Sequence, residues 1–213
     1  MKYYPIFLDI RDKLCVIIGG GEVALRKAER LLDCGAKVSV ISPKLVSELA
    51  ALKDKNLIAH IATEYSGDLL DRAALIIGAT DDEKTNASIS RDARAKGIPV
   101  NIVDDPQKCD FILPSIVQRG DLAITIGTGG KSPALARHLR EELEKQYGKE
   151  YEIFLNILGN LRANMEKNAG VGKDWFNSFM AAGILDSIKS RDMKKTKEIV
   201  KNITGEEVDV DFS

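Results

Sequence analysis

Residues 14–35, LCVIIGGGEVALRKAERLLDCG, constrain the fold more than any other stretch: a short β-branched run, three glycines in a row, then an amphipathic helical pattern. The run Leu14–Ile18 is apolar throughout and does not alternate, as expected of a strand covered on both faces. Glycines follow where the chain must turn sharply with no side chain in the way. From Val23 to Cys34 the spacing is helical. Ala24, Ala28, Leu31 and Leu32 share one face, while Arg26, Lys27, Glu29 and Arg30 lie largely away from it, and Gly35 ends the helix.

The same grammar then repeats. Strands at 37–41, around 57–62, at 74–78 and at 100–103 alternate with helical patterns in PKLVSELAALKDK and TDDEKTNASISRDARAKG. Such alternation implies a parallel sheet with right-handed crossovers. After Pro106 the pattern changes. Two strand-like runs in DFILPSIVQRGDLAITIGTGG flank a polar Gln-Arg-Gly-Asp turn and predict a β-hairpin. Ser132 and Pro133 read as the N-cap and first residue of a helix, PALARHLREELEKQY. From Tyr151 to about Ile203 the pattern is helical, interrupted by NAGVGKDW and AAGI, and the acidic tail GEEVDVDFS is expected to fray.

The expected fold is α/β: a Rossmann-like parallel sheet over residues 1–113, a hairpin-plus-helix dimerisation unit over 114–150, and a small C-terminal helical domain over 151–213. A hairpin with one helix beside it is too small to own a core, and pairing with a second copy in a homodimer covers it economically.

A formal net charge of −1 provides no general polyanion-binding surface, so nucleic acid is not an expected partner. No apolar run approaches the roughly 20 residues that span a bilayer, and no cleavable leader is recognisable at the start; a cytoplasmic protein without a membrane partner is expected. Two histidines far apart and three widely spaced cysteines suit neither a metal cage nor a disulfide framework. Cys15 and Cys34 are expected to pack as small hydrophobes.

The chemistry-bearing positions follow from the sheet. Gly19-x-Gly21-x-x-Ala24 has the spacing in which the first glycine turns the chain, the second admits a pyrophosphate and a small third residue packs helix on strand. Backbone N–H groups near Glu22 and Val23 would face those phosphates. The acid expected about 20 residues on, to grip a ribose, is replaced by Ser42, Pro43 and Lys44. A serine hydroxyl serves a ribose and Lys44 suits a 2′-phosphate, so the spacing leaves NAD and NADP open. Thr80 with Asp81, and Asp104 with Asp105, end later strands on the same edge. Two adjacent carboxylates can serve as a base, one pKa being raised by its neighbour, whereas the bland reading is an Asp-Asp-Pro turn starter. His60, in an apolar strand, reads as structural. In GTGGKSPALARHLR, flexible glycines and a helix N-terminus accompany Thr128, Lys131, Ser132, Arg137, His138 and Arg140, a setting that favours carboxylates or phosphates; a solvated amphipathic helix is the plain alternative. No Tyr-x-x-x-Lys occurs, which removes the short-chain dehydrogenase dyad.

GGGEVA, ATDD, NIVDDP, FILPS and TGGKSP, in this order, are similar to the precorrin-2 dehydrogenase/sirohydrochlorin ferrochelatase module of siroheme synthases, strongly over residues 1–150 and loosely beyond. No tetrapyrrole methyltransferase domain follows, so the stand-alone form is expected. The resemblance implies NAD-dependent oxidation of precorrin-2 to sirohydrochlorin, followed in some members by ferrous-ion insertion to give siroheme, in a homodimer built through the coreless segment. It implies Asp104 as the catalytic residue, and Gly19, Gly21, Glu22, Val23, Ser42, Pro43, Lys44 and Thr80 as cofactor positions. Thr128, Lys131, Ser132, Arg137 and His138 would meet the many carboxylates of the tetrapyrrole. The choice of NAD comes from the resemblance. A non-enzymatic NAD sensor and a dehydrogenase without chelatase activity are the rival readings.

Overall fold

The computed structural model describes residues 2–165 and 175–209, which form two compact units, Met1–Leu113 and Pro114–Ser213. Most of the interruption NAGVGKDW, and the end of the tail expected to fray, lie outside the described residues.

The first unit is a parallel sheet of β1 (Leu14–Ile18), β2 (Lys37–Ile41), β3 (Ile58–Ile61), β4 (Leu75–Gly78) and β5 (Val100–Ile102), in the order β3-β2-β1-β4-β5. Strand order reverses between β1 and β4, the topological switch at which such sheets open a crevice at their carboxyl ends. β1 shows why its run is unbroken: Cys15 and Ile17 enter the core on one face, Val16 and Ile18 the core on the other. On the first face α1 (Glu22–Asp33) and α2 (Ser47–Asp54) cover the sheet with Ala24, Ala28, Leu31 and Leu49; on the second, α3 (Glu83–Ala95) brings Ile89 and Ala93 against Ile76 and Ile102. α3 starts where Asp82 accepts hydrogen bonds from the Lys84 and Thr85 amides, a side-chain cap of the kind that stabilises a helix start.

Three expectations are corrected. α2 starts at Ser47, not Pro43, because the Ser42 hydroxyl donates to the Lys44 carbonyl and the Val46 amide to the Gly20 carbonyl, which holds 43–46 as a loop. Cys15 is fully buried, and burial pushes its thiol up to about 11, but Cys34 is exposed at the C-cap of α1 and does not pack as a core residue. The apolar face of α1 takes in Leu25 as well, and Lys27, expected largely away from that face, is half-buried.

In the second unit β6 (Ser115–Arg119) and β7 (Leu122–Ile126) form an antiparallel hairpin closed by Gly120 and Asp121. Gly120 has φ +55°, so glycine at the first loop position supplies the turn that matches strand twist. α4 (Pro133–Gln146) packs on β6, its start capped by the Ser132 hydroxyl accepting from the Leu135 amide. α5 (Glu150–Met165), α6 (Trp175–Ala181), α7 (Ile184–Lys189) and α8 (Met193–Thr204) share a separate core of Phe154, Ile157, Leu161, Phe179, Ile184, Ile188 and Val200. The expected break AAGI is real: Gly183, at φ +70°, separates α6 from α7. Among the described residues no helix is long and apolar enough to cross a membrane.

Candidate active site

The carboxyl edge of the sheet is assembled by backbone bonds that run from strand to strand. The Gly19 amide donates to the Ile41 carbonyl, Ala79 to Ile18 and Ser42 to Ile61, so the loops after β1, β2, β3 and β4 are fixed to one another. Between them lies a cleft of about 490 Å³. Gly19, Gly21, Glu22, Val23, Ser42, Pro43 and Thr80 all line it.

The three glycines do different jobs. A Cβ at Gly19 would lie 2.2 Å from the Ala79 carbonyl oxygen, and φ there is +122°. A Cβ at Gly20 would lie 1.9 Å from the Lys44 carbonyl oxygen, where the loop after β2 crosses the turn. Both glycines are needed for the protein to close on itself. Gly21 is the opposite case: a Cβ there would meet nothing within 4 Å, and its φ of −94° suits any residue. The space above it opens into the cleft at the N-terminus of α1, where free amides attract phosphate. A turn that stays bare where the fold does not require it fits a dinucleotide pyrophosphate approaching the backbone.

Other expected contacts are more constrained. The Ser42 side chain is buried and its proton is committed to the Lys44 carbonyl at 2.7 Å, so its hydroxyl can only accept from a ligand. His60 Nε2 donates to the Ser42 carbonyl at 2.9 Å, a structural role. Thr80 is locked to Asn86 by two reciprocal bonds of 2.9 Å each. Lys44 is exposed and is not among the lining residues. The residues overlooked in the sequence are Gly20 and the stretch Thr63, Glu64 and Tyr65, which follows β3 and lines the cleft. The Tyr65 hydroxyl donates to Asp92 at 3.0 Å, and burial together with that carboxylate raises the phenol above its ordinary range. Glu22, Glu64, Asp81 and Asp82 all contribute to the lining, to which no described lysine or arginine contributes.

Asp104 ends β5 on the same edge but does not line the cleft. It is exposed, at φ +61°, and no hydrogen bond to its carboxylate is made among the described residues. Lys27 on α1 feels it: burial lowers the ammonium pKa, Arg26 adds to this, and the Asp104 charge opposes both. The idea that a neighbouring carboxylate raises a pKa in this pair fails for Asp105, because hydrogen bonding to Lys108 lowers it. Among the described residues no cluster of His, Cys, Asp or Glu is disposed to hold a metal ion.

In the second unit Thr128 and Lys131 lie in the loop that leads to the N-cap Ser132 of α4, and Arg137 and His138 lie in the second turn of that helix. The Thr128 hydroxyl donates to the Ser132 carbonyl and accepts from its amide, closing a loop in which Gly129 and Gly130 have positive φ. Arg137 pairs with Glu141 at 2.8 Å and Arg140 with Glu144 at 2.6 Å, while Lys131 and His138 are exposed.

Fold and cleft together define a dinucleotide-binding α/β domain. The sequence model of a family described as putative NAD(P)-binding matches residues 6–115, and one described as sirohaem biosynthesis protein central matches residues 119–146. Siroheme synthase from Methylobacillus flagellatus is 46% identical over 173 residues, 81% of this chain and 37% of that protein. Siroheme synthase 1 from Aeromonas salmonicida is 37% identical over 211 residues, 97% of this chain and 45% of that protein. The chain thus spans less than half the length of these curated relatives. A solved structure titled SirC, precorrin-2 dehydrogenase, superimposes with a TM-score of 0.72 at 23% identity, covering 96% of this chain and all of that one, which establishes a shared fold. The chain belongs to the family described as putative NAD(P)-binding, whose sequence model covers more than half of it, and it is similar to a part of the siroheme synthases.

Proposed function

We propose that this protein oxidises precorrin-2 to sirohydrochlorin with NAD, in the formation of siroheme. The observation that carries the reading is the bare Gly21 at the head of α1, facing the cleft without any fold-imposed need for glycine. The names of its relatives, siroheme synthase and precorrin-2 dehydrogenase, supply the substrate class.

NAD, when bound, accepts the hydride removed from the macrocycle. The chain's residues do the rest. Gly19, Gly21 and the amides of Glu22 and Val23 receive the pyrophosphate; Ser42, Pro43 and Thr80 flank the nucleoside parts, and Lys44, exposed outside the lining, reaches them only from the rim. The acidic lining disfavours the additional phosphate of NADP and so supports NAD. Asp104 takes up the proton that leaves the macrocycle as the hydride departs, directly or through a water. Lys131, Thr128 and Ser132 before the start of α4, with Arg137 and His138 in its second turn, bind substrate carboxylates. The hairpin β6–β7 with α4, whose Leu135 and Leu139 are exposed, pairs with a second copy of the chain.

Absorbance spectra of precorrin-2 incubated with the protein and each nucleotide test the reading. Conversion to sirohydrochlorin with stoichiometric NADH is expected; nucleotide binding without conversion would favour a sensor, and no conversion with either nucleotide would defeat the assignment. Ferrous ion added after oxidation, against an enzyme-free control, shows whether iron insertion follows.

A further inference from the structure

Asp104 stands at the third position of a tight turn, Ile102–Asp105, closed by the Asp105 amide donating to the Ile102 carbonyl at 3.2 Å. Its φ of +61° lies in the left-handed region, which costs a residue other than glycine free energy, less for aspartate than for most, and which its surroundings help to hold. The surroundings that do so converge on one thiol. Cys109 Sγ accepts the Ile102 amide at 3.2 Å and lies 3.1 Å from both the Ile102 and the Asp105 carbonyl oxygens. A thiol has one proton, so it donates to one of these carbonyls at a time and touches both ends of the turn.

The topology explains the need for it. β5 is an edge strand, and the outward N–H of Ile102 has no sixth strand to bond. Cys109 fills that vacancy from the returning chain. Its backing is fixed: the buried Asn101 donates to the Phe111 carbonyl at 2.9 Å and approaches Sγ at 3.5 Å, and the Ser90 hydroxyl donates to the Lys108 carbonyl at 2.9 Å. Burial raises the thiol pKa, which keeps Sγ protonated as a hydrogen-bonding group and unsuited to nucleophilic work.

We infer that Cys109 is a positioning residue for Asp104: its thiol holds the turn that presents the Asp104 carboxylate at the carboxyl edge of the sheet. The inference rests on the proposed role of Asp104 as proton acceptor. Backbone amide exchange and steady-state kinetics on Cys109→Ala and Cys109→Ser test it. In Cys109→Ala, exchange at Ile102 and Asp105 is expected to quicken about tenfold, as for loss of one net hydrogen bond. In the same variant kcat falls by a similar factor with KM for NAD unchanged, and Cys109→Ser restores both. Cys109→Val removes the same hydrogen bonds at similar bulk and is read in the same way where the alanine variant does not fold. Wild-type exchange and turnover in the alanine or valine variant, or a loss of NAD affinity that tracks the loss of turnover, overturns the inference. Where the wild-type protein proves inactive on precorrin-2, it is the functional reading that fails, and the exchange data still decide whether the thiol holds the turn.

Discussion

Replacing Asp104 should remove turnover without weakening the fold. A left-handed conformation costs an ordinary residue roughly 1–2 kcal/mol, somewhat less for aspartate or asparagine. In Asp104→Gly that cost disappears, offset by roughly 0.5–1 kcal/mol for the greater backbone freedom of glycine in the unfolded chain. The carboxylate is exposed at φ +61° and makes no hydrogen bond among the described residues, so little else is lost. The net effect is between zero and about 1 kcal/mol of stabilisation, an upward Tm shift of no more than about 4 °C. Asp104→Asn, which tolerates the same backbone, should leave Tm unchanged. Both variants should bind NAD as the wild type does and lose oxidation of precorrin-2 by at least about a hundredfold, the usual scale for a missing general base. Scanning calorimetry, NAD titration and the absorbance assay read the three quantities. A Tm lowered by several degrees would mean that Asp104 serves the fold; retained turnover would place the base elsewhere.

Other expectations follow from the same edge. Gly20→Ala drives a methyl group into the Lys44 carbonyl and should destabilise the first unit by about 1–3 kcal/mol, read from urea unfolding; wild-type stability would show that the loop after β2 yields freely. Glu64→Lys removes a carboxylate from a cleft whose described lining has no lysine or arginine, and should tighten NADP relative to NAD in paired titrations; an unchanged ratio would remove Glu64 from specificity. Asp105 has its pKa lowered by Lys108, so its stabilisation is full above the unfolded carboxylate value of about 4 and fades as pH falls through the lower folded value. Between pH ~5 and ~2 the Tm of the wild type should therefore fall more than that of Asp105→Asn, and parallel curves would contradict this.

What the sequence revealed and what it hid divide along physical lines. The strand–glycine–helix unit was legible because each decision in it is local: burial on both faces of β1 imposes an unbroken apolar run, and Ser132, Pro133 and Gly120 do their capping and turning within a few residues. The burial of Lys27 was hidden because a helical wheel separates charged from apolar faces, whereas this flank of α1 is half-buried and feels Asp104. Thr63–Tyr65 carried no motif; only the pairing of β3 beside β2 brings them to the cleft. The rule that ligands sit at carboxyl strand ends pointed to every loop on that edge, including the one after β3, and would have found them. Gly20 drew no notice beside its neighbours because its constraint is a carbonyl more than 20 residues along the chain. Cys34 looked apolar by its surroundings in sequence, yet it falls just past the last turn of α1, on the outside.

The reading as a whole depends on a dinucleotide lying against the first turn of α1. Calorimetric titration of NAD into Gly21→Ala, beside the wild type, tests this most directly, because among the described residues the added methyl group meets nothing within 4 Å beyond its own stretch of chain. Alanine is a poorer N-cap than glycine, so Tm should fall by no more than about 4 °C, while NAD affinity drops by roughly ten- to a hundredfold from crowding of the pyrophosphate. A folded Gly21→Ala protein that binds NAD as tightly as the wild type would contradict it.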